Sequence, residues 1–290
     1  MSWLSDFEQN GFAVIENVFT ADELTEMKNE INRIISEIDL RDHPKCVFST
    51  LDENKVRSAI RFQQLQPCHT VSFQHLVDDY FLNSSDKIRV FFEEGALDKD
   101  GKLVTEKHEA FNKIGHGLHL ENPVFKRMSF HPKIKQLVKE IHYEDPKIVQ
   151  SMYIFKQPKI GGAVTDHIDA TFLYVEPIDH LIGIWIAVDD ANEENGCLAF
   201  IPGSHKRSSV DYRFRRTHKT DGSALLKFTG ERPTYDQTKF VNVPIKKGSL
   251  IVIHGLVVHK SDPNISSKSR HAYTLHIMEA KNTKWSEDNW

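Results

Sequence analysis

The chain has 290 residues, 39% of them apolar, which suits one large domain or two small ones around a real core. The 37 basic and 41 acidic residues leave a formal charge of -4, which argues against broad nucleic-acid binding. Nothing reaches the length of a membrane span, and Cys46, Cys68 and Cys197 form no C-x-x-C pair for a cysteine-rich zinc or iron–sulfur site.

In chain order, Phe12 to Val18 reads as a short strand. Thr20 then caps a helix, with Glu23 as its box partner and a periodic stretch through Leu24, Met27, Ile31, Ile34, Ile35 and Ile38. Residues 58–77, rich in Gln and without a clear period, read as an insertion or a lid. Asp86 to Phe92 is a further strand candidate. The run His131 to Lys139 predicts a short helix with Pro132 in its first turn.

The texture changes after Ile148. Strand-like runs follow at 149–157, 171–175, 181–188, 197–201, 240–243, 249–254 and 271–278, separated by turns such as Gly161-Gly162, Glu194-Asn195-Gly196 and Lys247-Gly248. The expected fold is mainly β with flanking helices, built on a double-stranded β-helix (a jelly roll, cupin-like). We expect one domain over 1–290, with a helical and mixed part at 1–147 and the jelly-roll core at about 148–280. Residues 206–239, basic, aromatic and irregular, read as an insertion over one mouth of the barrel. The basic positions at 205–219 suit an anionic substrate, but a solvated charge run is the favoured reading, because charged side chains are mostly exposed.

Three residues stand out for chemistry. His167 and Asp169 are two apart, so in an extended chain both side chains leave one face. A second imidazole from elsewhere would complete a set of two His and one carboxylate, which leaves open positions on Fe(II). His259 and His254 compete for that place, and spacing gives His259 only a slight lead. Arg270 follows His259 by eleven positions, in a run expected to form a barrel strand. An inward Arg needs an anionic partner, and a 2-oxoacid carboxylate would supply one. The plainer alternatives are a polar loop at 166–169 and an outward Arg on a half-buried strand.

The chain resembles the phytanoyl-CoA dioxygenase family of Fe(II)- and 2-oxoglutarate-dependent oxygenases. The likeness rests on the runs from Phe7 to Ile15, Asn112 to His116, Gln150 to Pro158, Glu194 to Leu198, Ile201 to His205 and Val258 to Ser261. Carried over by motif, it implies iron ligation by His167, Asp169 and His259, and so selects His259 over His254. It implies 2-oxoglutarate contacts from Lys113, Met152, Trp185, Ser261 and Arg270. Without it, Lys113 reads as a solvated lysine, Met152 and Trp185 as core, and Ser261 as a turn residue. One departure is Ile168, where many members have Gln. The activity implied is hydroxylation of a small-molecule substrate at the expense of 2-oxoglutarate and O2, with ascorbate supporting turnover. A metal- and 2-oxoacid-binding module without turnover is the first alternative, and a zinc hydrolase the second. With no secretory signal and no C-terminal peroxisomal address, a monomer in the cytoplasm, with the nucleus also open to it, is expected.

Overall fold

Alternation with a period of two governs the second half of the chain, and it builds a sandwich of two antiparallel sheets. The computed structural model describes residues 2–41, 43–47, 73–221 and 223–290. In chain order come α1 (Trp3–Asn10), β1 (Phe12–Ile15), α2 (Ala21–Glu37), α3 (Phe73–Leu82), β2 (Ile88–Phe92) and β3 (Phe111–His116). Three short helices follow, α4 (Leu118–Glu121), α5 (Pro123–Ser129) and α6 (Pro132–Glu140). Next are β4 (Pro146–Ile154), β5 (Val164–His167), β6 (Val175–Glu176), β7 (Leu181–Ala187), β8 (Leu198–Phe200), β9 (Arg213–Arg216) and β10 (Leu226–Thr229). The last strands are β11 (Val241–Val243), β12 (Leu250–His254), β13 (His259–Ser261), β14 (Ala272–Glu279) and β15 (Lys284–Trp285).

The larger sheet has the order β1-β12-β7-β14-β4-β3-β2, so strands from the first half of the chain extend it at both edges. The smaller sheet has the order β11-β8-β13-β5. β7 shows how the sandwich is filled. Ile182, Ile184 and Ile186 face outward and pack with Leu24, Met27, Ile31 and Ile35 of α2 and with Phe125 and Met128 of α5. Trp185 and Ala187 face the other way and meet Leu198 and Phe200 of the smaller sheet. Both faces of this strand are covered, which is why its sequence reads as a continuous apolar run.

The Thr20 box forms as its sequence implies. Thr20 Oγ1 accepts from the Glu23 backbone N–H, and the Glu23 carboxylate accepts from the Thr20 N–H at 2.8 Å. Three expectations are corrected. Residues 171–175 do not form one strand, because a 3-10 turn at Asp169–Thr171 lets the Asp169 carbonyl accept from Phe172 and Leu173. Residues 206–239 are not wholly irregular, because β9 and β10 pair in register there. Arg270 lies two residues ahead of β14 rather than within it. The expected insertion at 58–77 lies outside the described residues through 72, and α3 occupies its remainder. Among the described residues no helix is long and apolar enough to cross a membrane.

Candidate metal and co-substrate site

β5 and β13 are neighbours in the smaller sheet, with His259 directly opposite His167. The two imidazole centroids are 4.3 Å apart. Ile168 is extended and turns its side chain into an apolar cluster with Leu256 and Val258, so the next residue, Asp169, comes back to the His167 side. The Asp169 Oδ1 lies 3.7 Å from Nε2 of each histidine. The three ligand atoms all fall within 4.8 Å of one another, the arrangement of a site for one metal ion.

The far nitrogens fix the tautomers. His167 Nδ1–H donates to the Thr165 carbonyl at 2.7 Å, and His259 Nδ1–H to the Val257 carbonyl at 3.1 Å. Each ring is left with an Nε2 lone pair aimed at the shared point. Burial lowers His167 to about 4, with the neighbouring His259 acting in the same direction, so at neutral pH it holds no proton that a cation must displace. Burial works against charge on Asp169, yet His276, His259 and His167 outweigh it and hold the carboxyl well below its usual range.

The inner face of the larger sheet carries the rest in register. Met152, Thr274 and Trp185 form one row across β4, β14 and β7. Arg270 lies beyond that row, only 2% exposed, with its guanidinium carbon 4.9 Å from the Trp185 ring centroid. Its Nε and Nη1 have no hydrogen-bond partner among the described residues. Burial lowers Arg270 only to about 10, so the buried group remains a cation at neutral pH. A buried guanidinium with unsatisfied donors carries a cost unless an anion joins it. Lys113 also lines this cavity, and burial lowers it to about 7. Ser261 Oγ–H donates to the Gly196 carbonyl at 2.8 Å, so its hydroxyl hydrogen is committed to the protein.

All eight expected residues therefore border one cavity: Lys113, Met152, His167, Asp169, Trp185, His259, Ser261 and Arg270. His254 does not. It sits on the far side of β12 against Phe7 and His205, and its Nδ1 accepts from the Leu256 N–H. The sequence reading missed His276, whose Nε2 lies 3.3 Å from Asp169 Oδ2. Counting by two from Arg270 through Ala272 and Thr274 would have placed it on the same face. It also missed His116 and Gln150, which reach the cavity only through strand pairing.

A family model described as Phytanoyl-CoA dioxygenase (PhyH) matches residues 7–272. The chain belongs to that family. It is 63% identical over 285 residues to the Phytanoyl-CoA dioxygenase domain-containing protein 1 homolog of Caenorhabditis elegans, covering 98% of this chain and 92% of the relative. The Rattus norvegicus Phytanoyl-CoA dioxygenase domain-containing protein 1 is 45% identical over 289 residues, covering 100% of this chain and 93% of the relative. Among solved structures, EctD from S. alaskensis with 2-oxoglutarate and 5-hydroxyectoine gives a TM-score of 0.58 at 17% identity, over 97% of this chain and 77% of that one. The epimerase SnoN, solved with Fe3+, alpha ketoglutarate and nogalamycin RO, gives 0.59 at 15% identity, over 98% and 84%. The fold is thus the cupin-like jelly roll shared by these iron- and 2-oxoglutarate-dependent oxygenases.

Proposed function

We propose that this family member is an Fe(II)- and 2-oxoglutarate-dependent dioxygenase that hydroxylates a small organic substrate. One observation carries the reading. The convergent Nε2 and carboxylate atoms of His167, His259 and Asp169 border the same cavity as the unpartnered N–H groups of Arg270.

The donor set fits the metal. Two neutral imidazoles and one hard carboxylate suit Fe(II) and leave positions for other ligands. His167 and His259 would hold the ion through Nε2 and Asp169 through its carboxylate. The cavity also fits the co-substrate, because Arg270 offers paired donors with the geometry of a carboxylate clamp. Trp185 supports the guanidinium from one side, and Lys113, Met152 and Ser261 line the space around it. When bound, iron and 2-oxoglutarate supply the oxidising chemistry. With both bound, one oxygen atom of O2 would enter succinate with release of CO2, and the other would enter a substrate C–H bond as hydroxyl. The protein's part is orientation and shelter: Phe200 stacks on His259 and Phe172 meets the edge of His167, so two ligands have aromatic neighbours.

The structural neighbours EctD and SnoN, each solved with 2-oxoglutarate (alpha ketoglutarate), support the co-substrate assignment. A zinc hydrolase would have no use for the buried Arg270. The test is succinate formation from 2-oxoglutarate with Fe(II) and ascorbate, measured for wild type and Arg270→Lys. The lysine variant should need at least about tenfold more 2-oxoglutarate, because a point charge does not reproduce two parallel bonds. An unchanged concentration dependence would remove Arg270 from the role. Absence of Fe(II)-dependent succinate from wild type would overturn the oxygenase reading.

A further inference from the structure

Just past the end of β4, Lys156 meets Arg270 just ahead of β14. Ile154 pairs with Ala272, so counting on by two sets Lys156 opposite Arg270 on the cavity face. Arg270 N–H donates to the Lys156 carbonyl at 3.2 Å, and both residues border the cavity. The same carbonyl accepts from Asn264 Nδ2–H at 2.9 Å. Asn264 and Arg270 bracket the segment that leads into β14, and both ends of it hang on Lys156. The Arg270 guanidinium has little else to place it. Its Nε and Nη1 have no partner among the described residues, and the Trp185 ring lies to one side. The direction of the guanidinium is therefore set by its main chain and by that ring.

Lys156 holds this position at a conformational cost. Its φ is 38°, in the left-handed region that suits glycine and disfavours lysine. The side chain supplies the compensation. It is buried, and its Nζ–H donates to the Gly162 carbonyl at 2.8 Å. A buried bond of this kind is of the same order as the cost of a left-handed residue that carries a side chain. The lysine stem runs over Gly196, where an added Cβ would collide with Lys156 Cε. Gly196 in turn supplies the carbonyl that accepts from Ser261. Gly162 is held from its other side by the buried Glu93, whose carboxylate accepts the Gly162 N–H at 3.4 Å and Asn112 Nδ2–H at 3.0 Å. Burial lowers Lys156 to about 7, with Arg270 acting in the same direction. An ammonium and an amine both donate to a carbonyl, so the anchor on Gly162 holds in either state.

We propose that Lys156 is a positioning residue for the co-substrate: its side chain, anchored on Gly162, holds its own backbone in the left-handed conformation, and so keeps its carbonyl on Arg270 and the guanidinium aimed into the cavity. The inference rests on the proposed 2-oxoglutarate role of Arg270. Lys156 acts through Arg270 and needs no contact with the co-substrate. Two consequences separate this role from a lysine that only stabilises the fold or only adds positive charge. Removing the anchor should weaken 2-oxoglutarate binding only while the Arg270 clamp is present. Glycine at 156 should be better tolerated than a longer apolar side chain, because glycine takes a positive φ freely. A purely stabilising role makes glycine the worse of the two, since it loses the whole side chain. A purely electrostatic role makes them equal, since both lose the charge.

The probe is 2-oxoglutarate itself, titrated calorimetrically under nitrogen into the full-length protein loaded with Fe(II). Lys156→Met keeps the stem and removes the donor. It should raise the Kd for 2-oxoglutarate at least about tenfold, and Lys156→Gly should raise it by about threefold or less. In the Arg270→Lys background, Lys156→Met should change the Kd by about twofold or less, the non-additivity of residues that act as one unit. In succinate assays Lys156→Met should raise the KM for 2-oxoglutarate more than it lowers kcat. Folding is checked by circular dichroism, and if Lys156→Met fails to fold, Lys156→Leu, which also lacks the donor, takes its place. An unchanged Kd in the folded variant, a glycine variant as weak as the methionine one, or the full loss retained in the Arg270→Lys background would overturn the proposal. So would wild type that binds no 2-oxoglutarate. Failure of the oxygenase reading alone looks different: the variants follow the expected pattern of binding, yet wild type forms no succinate. Succinate formation by wild type beside an unchanged Kd in Lys156→Met would defeat the positioning role alone.

Discussion

Gly183 shows how narrow the tolerances are at single residues. A Cβ built there would lie 3.2 Å from Asp169 Oδ2, 3.4 Å from Ile253 and 3.8 Å from the His276 ring. The methyl of Gly183→Ala would therefore press on the carboxylate proposed to hold iron. We expect about tenfold weaker Fe(II) binding, measured by titration of the folded protein, with little change in melting temperature. Unchanged affinity would show that Asp169 can retreat without leaving the ion. The site was unevenly legible at this scale. His167 and Asp169 were visible because one extended residue separates them, whereas the pattern around Arg270 favoured an outward side chain and only the family resemblance implied an inward one. His276 was visible in principle, two alternations on. His116 and Gln150 were not, because nothing in their local sequence says that β3 and β4 bring them beside β14.

Whole elements were legible where the signal is local. The α2 start is an example, since Thr20 and Glu23 satisfy each other across one turn. Thr20→Ala should cost about 1 kcal/mol in chemical denaturation at neutral pH. Partial burial opposes charge on Glu23, but the Thr20 backbone and hydroxyl bonds and the nearby His131 lower its carboxyl below the ordinary value. A lowered carboxyl contributes stability above its unfolded pKa and loses it as pH falls through the folded one. The difference between wild type and variant should therefore shrink in acid, and a pH-independent difference would argue against the box. The β9–β10 pair was not legible, for a physical reason. Arg213, Arg215 and Arg216 read as a solvated run, but their partners are Ser286, Asp288 and Asn289, more than seventy residues away. β13 was missed because three residues are too few to show alternation.

For the molecule as a whole, burial of several imidazoles couples stability to pH. Burial, with His205 nearby, lowers His254 to about 4, and burial lowers His119 to about 4. Unfolded histidine takes a proton at about 6.5. Between these values the unfolded chain binds more protons than the folded one, so stability falls as pH drops from 6.5 toward 4. The urea midpoint should be clearly lower at pH 5 than at pH 7, and equal midpoints would contradict the burial of neutral imidazoles. The jelly-roll class was legible because strand and turn signals alternate so densely after residue 148. The enclosing of the triad and Arg270 in one cavity was not, since it depends on the pairing of two sheets. That shared cavity is the central claim, and one comparison tests it most directly: Fe(II)-dependent CO2 release from 2-oxoglutarate, per mole of folded protein, for wild type and Asp169→Ala. Asp169 is the one carboxylate among the three proposed ligands, so its loss removes both a donor atom and the charge that helps hold Fe(II). The account predicts turnover by wild type and a fall of at least about a hundredfold in the variant. Equal release from the two would contradict it.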